Sequence, residues 1–270
     1  PLAILTGMTV ASLVTGNTVI IKPAEQSSIT GFELMRLLKE SGFPADVAHF
    51  VPGYGEEVGD YMVRHKDISL IAFTGSKSVG LNILKTAMDI QPGQTHIKKV
   101  IAELGGKNAI IIDSDADLDE AVTGVIYSAF GFQGQKCSAC SRVIVLENIY
   151  DRFVERLVEA TRSLHVGPSE DPRSFMGPVV DEEAYQRIRN TIAQGKESRS
   201  LTFEGVAPGG GYFIAPTIFG NVDPTSDLAQ KEIFGPVLTV IRVRDMDEAL
   251  KVANNTEYAL TGGIYSRSPG

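Results

Sequence analysis

The two cysteines of this chain, Cys137 and Cys140, lie three positions apart in the segment GFQGQKCSACSR. Such spacing suits a redox dithiol, half of a metal site, or one nucleophile beside a second thiol. Redox Cys-x-x-Cys pairs normally begin a helix, whereas this pair leads into the apolar segment SRVIVL. A zinc site needs about four ligands, and the histidines of this chain stand singly. The patterns therefore favour a single nucleophile or two inert thiols.

Cys137 is the better candidate for a nucleophile because it follows a polar, glycine-rich loop that lets a substrate approach the backbone closely. Its neighbour Lys136 would favour a thiolate if the two side chains met. Cys140 adjoins the apolar segment, so we expect it to pack in the core. A second chemical group is Glu103, which ends the apolar segment VIAE. The carboxyl ends of parallel strands are where α/β folds place chemistry, and a solvated strand end is the alternative.

The segment FTGSKSVG predicts a strand followed by a helix start that contains Gly75, Ser76 and Gly80. Unpaired N–H groups at a helix start bind anions such as phosphate, and glycine lets the ligand come close. The segment lacks the Gly-Lys-Ser/Thr triplet of a Walker loop and departs from the usual dinucleotide fingerprint, as does PGYGEEVG. Each of these segments is equally compatible with an ordinary turn.

Strands and helices alternate through the first hundred residues, which indicates an α/β fold with a parallel sheet. A helix after Ser28 is predicted to turn Phe32, Met35, Leu37 and Leu38 inward. The segments predicted as strands in this part are TVIIK, HFVPG, LIAFTG and KKVIAELGG.

The sequence pattern changes after residue 106, so we divide the chain into domains 1–105 and 106–270. In the second domain, a capping pattern at Asp117 and Glu120 predicts the start of an amphipathic helix. The other predicted elements are the strands NAIIID, RVIVL, YFIAPTIF and PVLTVIRV and helices near 150–164, 182–194 and 247–254.

The chain carries 25 Lys and Arg against 33 Asp and Glu, a net charge of −8, without a basic cluster. This balance argues against nucleic acid or an anionic membrane surface as a partner. The apolar residues 1–21 lack a basic start and are interrupted by Gly7, Gly16 and Asn17. We therefore expect a buried helix and a buried strand there rather than a membrane segment. Two cysteines in 270 residues indicate a reducing compartment.

Seven segments, read in order, resemble the aldehyde dehydrogenase superfamily over essentially the whole chain. They are TGNTVIIKPAEQS, VPGYGEEVG, FTGSKSVG, ELGGKNAIII, GFQGQKCSACSR, MGPVV and KEIFGPVL. The separation of Glu103 and Cys137, 137 − 103 = 34 residues, also suits that family. The segments FGFQGQKCSACSR and GGGYFIAPTIF resemble the branch that oxidises L-glutamate γ-semialdehyde, the open form of 1-pyrroline-5-carboxylate, in proline breakdown. The resemblance implies a Rossmann-type NAD-binding domain over 1–105 and an α/β catalytic domain over 106–270, both incomplete.

The resemblance also implies a mechanism, NAD-dependent oxidation of an aldehyde through a covalent cysteine intermediate. Cys137 would attack the aldehyde as a thiolate, and hydride loss from the hemithioacetal would leave a thioester. Glu103 would activate the water that hydrolyses this thioester. Ser138, beside the nucleophile, is an expected substrate contact. The asparagine that completes the oxyanion site in the family lies before the position of Pro1 and is absent here.

For the cofactor, the resemblance implies that Lys22 and Glu25 hold the hydroxyls of the adenosine ribose. A carboxylate at Glu25 repels a 2′-phosphate, which favours NAD over NADP. The remaining expected cofactor contacts are Gly55 on the adenine side, Gly75, Ser76 and Gly80 at the pyrophosphate, and Glu232 and Phe234 at the nicotinamide ribose and ring.

Several expectations concern the whole protein. The chain opens on Pro1 and ends in IYSRSPG, where we predict no closing element, so we expect a piece of a longer protein. We expect no metal site, a small aldehyde as substrate, a homo-oligomer for the full-length protein, and a cytoplasmic location, or the mitochondrial matrix in a eukaryote. Three other functions remain open: a dehydrogenase of another aldehyde, a thiol–disulfide oxidoreductase, and an inactive nucleotide-binding fragment.

Overall fold

The computed structural model describes residues 2–268 and divides the chain into two compact units. The first unit extends to Leu104 and the second begins at Gly105, one residue before the boundary drawn from the sequence. Both units combine helices with mainly parallel strands, so the predicted α/β class is confirmed. The assignment of one unit to the cofactor and of the other to catalysis stays a prediction.

The first unit contains two pairs of parallel strands. β1 (Val19–Ile21) pairs with β2 (Ala48–Phe50), and β3 (Leu70–Thr74) pairs with β4 (Lys99–Glu103). The helices of this unit are α1 (Leu2–Val14), α2 (Ser28–Glu40), α3 (Asp60–Arg64), which continues a π-helical turn over Gly55–Gly59, and α4 (Lys77–Ala87). The sequence predicted one parallel sheet, but among residues 2–104 the two pairs are not hydrogen-bonded to each other.

Helix α1 is less buried than its sequence predicted. Thr9 is its one buried residue within positions 2–14, while Ile4 and Val14 are exposed. Hydropathy measures how apolar a segment is and does not report which elements pack against it. Here the neighbouring α2 and β1 cover only part of the helix. Ile21, at the end of the following strand, is buried as expected. No helix within residues 2–268 has the length and apolar character that crossing a membrane requires.

Helix α2 buries a face that agrees only in part with the predicted one. Phe32 and Leu37 were expected to point inward, but they are 58% and 47% exposed. The buried stripe runs through Gly31, Leu34 and Leu38, of which Leu38 was predicted, with the spacing of three and four residues typical of one helix face. A Cβ on Gly31 would lie 3.1 Å from an aromatic ring of β2, so this glycine allows the close packing that moves the stripe.

The second unit is built on one six-stranded sheet. Its strands are β5 (Asn108–Ile112), β6 (Cys140–Leu146), β7 (Leu201–Glu204), β8 (Thr217–Phe219), β9 (Val237–Val243) and β10 (Gly262–Tyr265). Its helices are α5 (Leu118–Phe130), α6 (Glu147–Arg162), α7 (Glu182–Glu197), α8 (Asp227–Gln230) and α9 (Met246–Asn254). The strand order is β10-β5-β6-β9-β8-β7, and all neighbours are parallel except β7 and β8.

Helix α5 begins and packs as the sequence predicted. The Asp117 carboxylate accepts hydrogen bonds from the backbone N–H groups of Asp119 and Glu120, at 3.1 and 3.3 Å, and so caps the helix. The face carrying Val125 and Ala129 is buried in the core beside the sheet. The helix ends at the loop that carries Cys137.

Strand β10 was not predicted from the sequence. Residues 262–265 pair in parallel with β5 and form one edge of the sheet. The sequence GGIY gives little strand signal because its two glycines have low β-propensity. β7, which pairs with β8 at the opposite edge, was missed because it has only four residues.

Candidate active site

Cys137 lies in the loop that leads from α5 into β6. A short 3₁₀ turn begins this loop, and Phe132, Gln133 and Gly134 have left-handed backbone conformations. Non-glycine residues in this region store about 1 to 3 kcal/mol each and are concentrated at functional sites. Cys137 is half-buried and Ser138 is exposed, so the loop presents both residues at the surface of the second unit.

The residues beside Cys137 have structural contacts of their own. Cys140 is buried, as predicted, and its thiol donates to the Arg142 carbonyl at 3.4 Å. Burial raises the pKa of the Cys140 thiol to about 12, which keeps it protonated at neutral pH. The Lys136 ammonium lies 5.8 Å from the centroid of the Tyr127 ring. Both cysteines are free thiols, and their environments differ, with Cys137 half-exposed and Cys140 in the core.

The segment Gly105–Asn108, which we call the GGKN turn, lies against the cysteine loop. The Asn108 side-chain nitrogen donates to the carbonyl oxygens of Cys137 at 2.7 Å and Ala139 at 2.9 Å. A Cβ on Gly106 would lie 2.7 Å from the same Cys137 oxygen. Glycine at this position is therefore a steric requirement for the close approach of the two segments.

Glu232 binds the GGKN turn from another side. Its Oε1 accepts from the Gly106 N–H at 3.0 Å, and a Cβ on Gly105 would lie 2.1 Å from its Oε2. Phe234 follows in a left-handed conformation and is 40% exposed. A Cβ on Gly134 would lie 2.4 Å from the carbonyl oxygen of the residue after Phe234. The second unit thus brings two sequence-predicted site residues, Cys137 and Glu232, to one turn, and Ser138 and Phe234 follow them closely in the chain.

Two basic residues at this turn are buried, Lys107 in the turn itself and Arg142 in β6. Arg142 is 1% exposed and donates to the carbonyls of Lys107 at 2.8 Å, Val252 at 3.0 Å and Ala253 at 2.9 Å. These three bonds join the starts of β5 and β6 to the end of α9. Lys107 is also 1% exposed, and its amine has no hydrogen-bond partner within residues 2–268. Burial, followed by repulsion from Arg142, lowers the pKa of Lys107 to about 7.

We expect Lys107→Met to stabilise the fold below pH 7. The folded pKa of about 7 lies below the ordinary value of 10.5, so between these values only the unfolded chain holds the proton. Stability from this group is therefore lowest below pH 7 and rises with pH up to about 10.5. The difference between the folded and the unfolded pKa of Lys107 corresponds to roughly 3 to 5 kcal/mol of unfolding free energy. Replacing Lys107 by methionine should add about this amount to the stability at low pH.

Urea unfolding of the complete protein at several pH values measures this effect, with the exposed Lys251→Met on α9 as the control. A gain that fades as the pH rises supports a buried, unpaired amine. A pH-independent change, or a gain equal to that of the control, would show that Lys107 is not desolvated.

The first unit holds an ion pair just beyond the end of β1. The Lys22 ammonium donates to Glu25 Oε1 at 2.9 Å, to the Pro23 carbonyl at 2.8 Å and to the Gly53 carbonyl at 2.9 Å. Partial burial opposes ionisation of Glu25, but hydrogen bonds from its own backbone, Lys22 and the Gly55 backbone outweigh it, and its pKa is lowered. The pair is therefore charged at neutral pH, and Lys22 orients the carboxylate.

The helix start predicted as an anion site has a capped first turn. Ser76 is the N-cap of α4, and its hydroxyl accepts from the Val79 N–H at 3.3 Å. A Cβ on Gly80 would lie 2.3 Å from the Leu104 side chain, so this glycine permits close packing of α4 on the segment after β4. Gly75 precedes the cap and donates its N–H to the Glu103 carbonyl at 3.1 Å.

Glu103 occupies the carboxyl end of β4, as predicted. Its register partner in β3 is Thr74, so the ends of the two parallel strands lie side by side. The Glu103 side chain is exposed. Within the first unit, the structure therefore places Glu103 next to the helix start that carries Gly75 and Ser76.

Three buried polar residues of the site were not predicted from the sequence, namely Lys107, Asn108 and Arg142. A signal was present, since these residues stand at the starts of the apolar strand segments KNAIII and SRVIVL. Polar side chains in such positions are buried only with specific partners. No group of three or more His, Cys, Asp or Glu side chains suited to a metal lies within the described residues 2–268.

Comparisons with known proteins give close matches over the whole chain. A model of the aldehyde dehydrogenase family matches residues 1–270. The chain is 49% identical over 269 residues to a 1-pyrroline-5-carboxylate dehydrogenase of Geobacillus kaustophilus (strain HTA426), which covers 99% of this chain and 52% of that relative. It is also 49% identical over 267 residues to 1-pyrroline-5-carboxylate dehydrogenase 2 of Bacillus subtilis (strain 168). The chain spans about half the length of these curated relatives.

Solved structures agree closely with this fold. A crystal structure of proline utilization A from Bdellovibrio bacteriovorus, inactivated by N-propargylglycine, matches with a TM-score of 0.98 and 62% identity, over 100% of this chain and 28% of that chain. A 1-pyrroline-5-carboxylate dehydrogenase from Thermus with bound NAD matches with a TM-score of 0.97 and 50% identity, over 100% of this chain and 52% of that chain.

Proposed function

The chain belongs to the aldehyde dehydrogenase family, and on that premise we propose that it forms part of an NAD-dependent enzyme that oxidises L-glutamate γ-semialdehyde to L-glutamate. This aldehyde is the open form of 1-pyrroline-5-carboxylate, the compound in the names of two relatives at 49% identity. The 62% identity to a proline utilization A structure supports a role in proline breakdown.

The observation that carries this proposal is the contrast between the two thiols. Cys140 is buried and bonded, whereas Cys137 sits half-exposed on a strained loop whose backbone carbonyls are bound from one side by Asn108. A fixed, accessible thiol is what covalent catalysis requires. A redox dithiol would need both sulfurs to react, and the environment of Cys140 opposes ionisation.

In the proposed reaction, the Cys137 sulfur forms a bond to the aldehyde carbon and the carbonyl oxygen becomes an oxyanion. Loss of hydride from that carbon restores the carbonyl as a thioester. Glu103 takes a proton from water, the hydroxide adds to the thioester carbonyl, and the carbon–sulfur bond breaks to release the carboxylate. The thiolate of Cys137 is regenerated, and Ser138 beside it contacts the substrate.

The donor groups present in the chain fit a dinucleotide. Glu25, held as a carboxylate by Lys22, suits the hydroxyls of the adenosine ribose. Gly55 lies next to this carboxylate, since a Cβ there would be 3.7 Å from Glu25 Oε1. The pyrophosphate would contact Gly75 and Ser76 at the start of α4, and Gly80 allows that helix to pack closely. The nicotinamide ribose and ring would contact Glu232 and Phe234. When bound, NAD⁺ accepts the hydride that the substrate carbon loses.

We further propose a reducing compartment, the cytoplasm or a mitochondrial matrix, and a homo-oligomer for the full-length protein. Support for the compartment comes from the low cysteine content, two in 270 residues. A nucleophilic thiol must stay reduced to work. Sedimentation of the complete protein would give its oligomeric state directly.

The test of the proposed function is NADH formation by the complete protein with L-glutamate γ-semialdehyde. A panel of other semialdehydes and simple aldehydes, compared by kcat/KM, identifies the preferred substrate. Highest kcat/KM for the glutamate aldehyde supports the proposal. Turnover of another aldehyde alone would reassign the substrate within the family, and no turnover of any aldehyde would favour an inactive nucleotide-binding protein.

We expect Glu25→Gln to weaken the preference for NAD over NADP. Loss of a charge-assisted hydrogen bond to the ribose should raise KM for NAD about tenfold. Removal of the charge that repels a 2′-phosphate should lower KM for NADP by a similar factor of about ten. KM values for both cofactors measure the change, with Glu33→Gln on the exposed face of α2 as the control. Unchanged values for both would exclude Glu25 from the cofactor site.

A further inference from the structure

Asn108 uses its side-chain amide to hold the cysteine loop. It is 5% exposed, and its nitrogen donates to the Cys137 carbonyl at 2.7 Å and to the Ala139 carbonyl at 2.9 Å. Its oxygen accepts from the Thr261 N–H at 3.1 Å. Both N–H bonds of the amide and its oxygen are therefore engaged, so the side chain has one defined orientation.

These contacts fix the peptide plane before Ser138 and the one after Ala139. All peptide bonds between described residues are trans, so each carbonyl points opposite to the N–H of the next residue. Holding the Cys137 carbonyl thus fixes the direction of the Ser138 N–H and the backbone from which the Cys137 thiol projects. The Ala139 N–H bonds the Lys136 carbonyl at 3.0 Å, which closes the turn that Asn108 anchors.

A bulge in the sheet provides a second, independent observation. Asn108 is in register with Cys140, whereas the next residue, Ala109, is in register with Arg142. Ser141 is left over on β6, and its hydroxyl donates to the Asn108 carbonyl at 3.4 Å. Bulges redirect side chains and are frequent beside active sites. Here the irregularity falls at the residue whose side chain reaches the cysteine loop.

We propose that Asn108 is a positioning residue for the nucleophile, whose amide holds the Cys137 and Ala139 carbonyls so that the Cys137 thiol stays aimed at the substrate carbon. The role in turnover rests on the proposed function. The role in thiol reactivity is independent of it, because alkylation of Cys137 needs neither the aldehyde nor NAD.

The first experiment compares Asn108→Ala with the control Asn190→Ala, which changes an exposed asparagine on α7. In the complete enzyme, a misaligned nucleophile should lower kcat by about 10- to 100-fold while KM for NAD changes little. The rate of Cys137 alkylation by iodoacetamide, mapped by mass spectrometry, should fall with kcat. The control should match the unmodified enzyme in both measurements.

The second experiment uses Asn108→Asp, which keeps the shape of the side chain but removes its N–H donors. The introduced carboxyl would face two carbonyl oxygens in a buried place, which raises its pKa. Once protonated it donates one hydrogen bond. The alkylation rate of this variant, divided by that of the unmodified enzyme at the same pH, should therefore rise as the pH falls. A residue that only fills space would give a ratio independent of pH.

The outcomes separate this proposal from the proposed function. If the unmodified enzyme oxidises no aldehyde but the Asn108 variants still alkylate more slowly, the function fails and the positioning role stands. Normal kcat and normal alkylation in folded Asn108→Ala would overturn the positioning role. If that variant does not fold, the pH dependence of Asn108→Asp decides, and a flat ratio overturns the proposal.

Discussion

Replacing Cys137 by serine is expected to lower kcat by about 10⁴-fold or more, the scale seen when a catalytic nucleophile is removed. A serine hydroxyl ionises far less readily than a thiol, so it forms the covalent intermediate poorly. Cys140→Ser should leave kcat close to its original value. The Cys140 thiol is buried, donates to the Arg142 carbonyl and has its pKa raised to about 12, and a serine hydroxyl can make the same bond.

The measurement is NADH formation by the complete protein, with the fraction of folded protein checked by thermal unfolding. Iodoacetamide labelling gives a second readout, since rapid alkylation should be confined to Cys137 and lost in Cys137→Ser. Equal loss of activity in the two variants would support a thiol–disulfide oxidoreductase. A Cys137–Cys140 disulfide in the active protein would point the same way, against the free thiols seen in the structure.

The second large effect is expected for Glu103→Gln. A general base contributes about 10²- to 10⁴-fold to the rate, so kcat should fall by that factor. Glu103 is exposed at the end of β4, where its carboxylate can contact water. If it acts in hydrolysis of the thioester, the first turnover should still release NADH. The variant would then show a rapid burst of about one NADH per active site followed by a slow steady rate.

Rapid mixing of the enzyme with NAD and the aldehyde resolves the burst, and Glu155→Gln, an exposed change on α6, is the matched control. Trapped thioester on Cys137 should be visible as added mass. Loss of both the burst and the steady rate would place Glu103 in activation of the thiol. Full activity in Glu103→Gln would remove it from the mechanism.

Local sequence patterns predicted much of the site because several of its residues lie at the ends of strands and helices. The carboxyl end of β4, the N-cap at Ser76 and the burial of Cys140 all follow from apolar runs and the residues that interrupt them. Each of these features is decided within about ten residues of chain, which is the range that periodicity and capping rules describe. The structure places these residues where the sequence predicted them.

Contacts between distant segments could not be predicted in the same way. Glu232 bonds Gly106 across 126 positions, and no local pattern links the two residues. In the sequence, Gly105 and Gly106 marked only the domain boundary, whereas in the structure their lack of side chains makes room for Glu232 and for the Cys137 carbonyl. The predicted burial of α1 and of Phe32 was wrong. The burial of a helix face depends on which neighbours pack on it, and hydropathy does not report those neighbours.

The hydrogen bonds around the GGKN turn also have a consequence for protein synthesis. Arg142 binds carbonyls 110 and 111 positions later, and Asn108 binds a backbone group 153 positions later. A chain emerging from the ribosome grows by about 5 to 20 residues per second. The nascent chain therefore carries Cys137 for some seconds before Thr261 exists to complete its support. During that interval the Asn108 amide, which binds the loop of Cys137, lacks the hydrogen bond that Thr261 supplies.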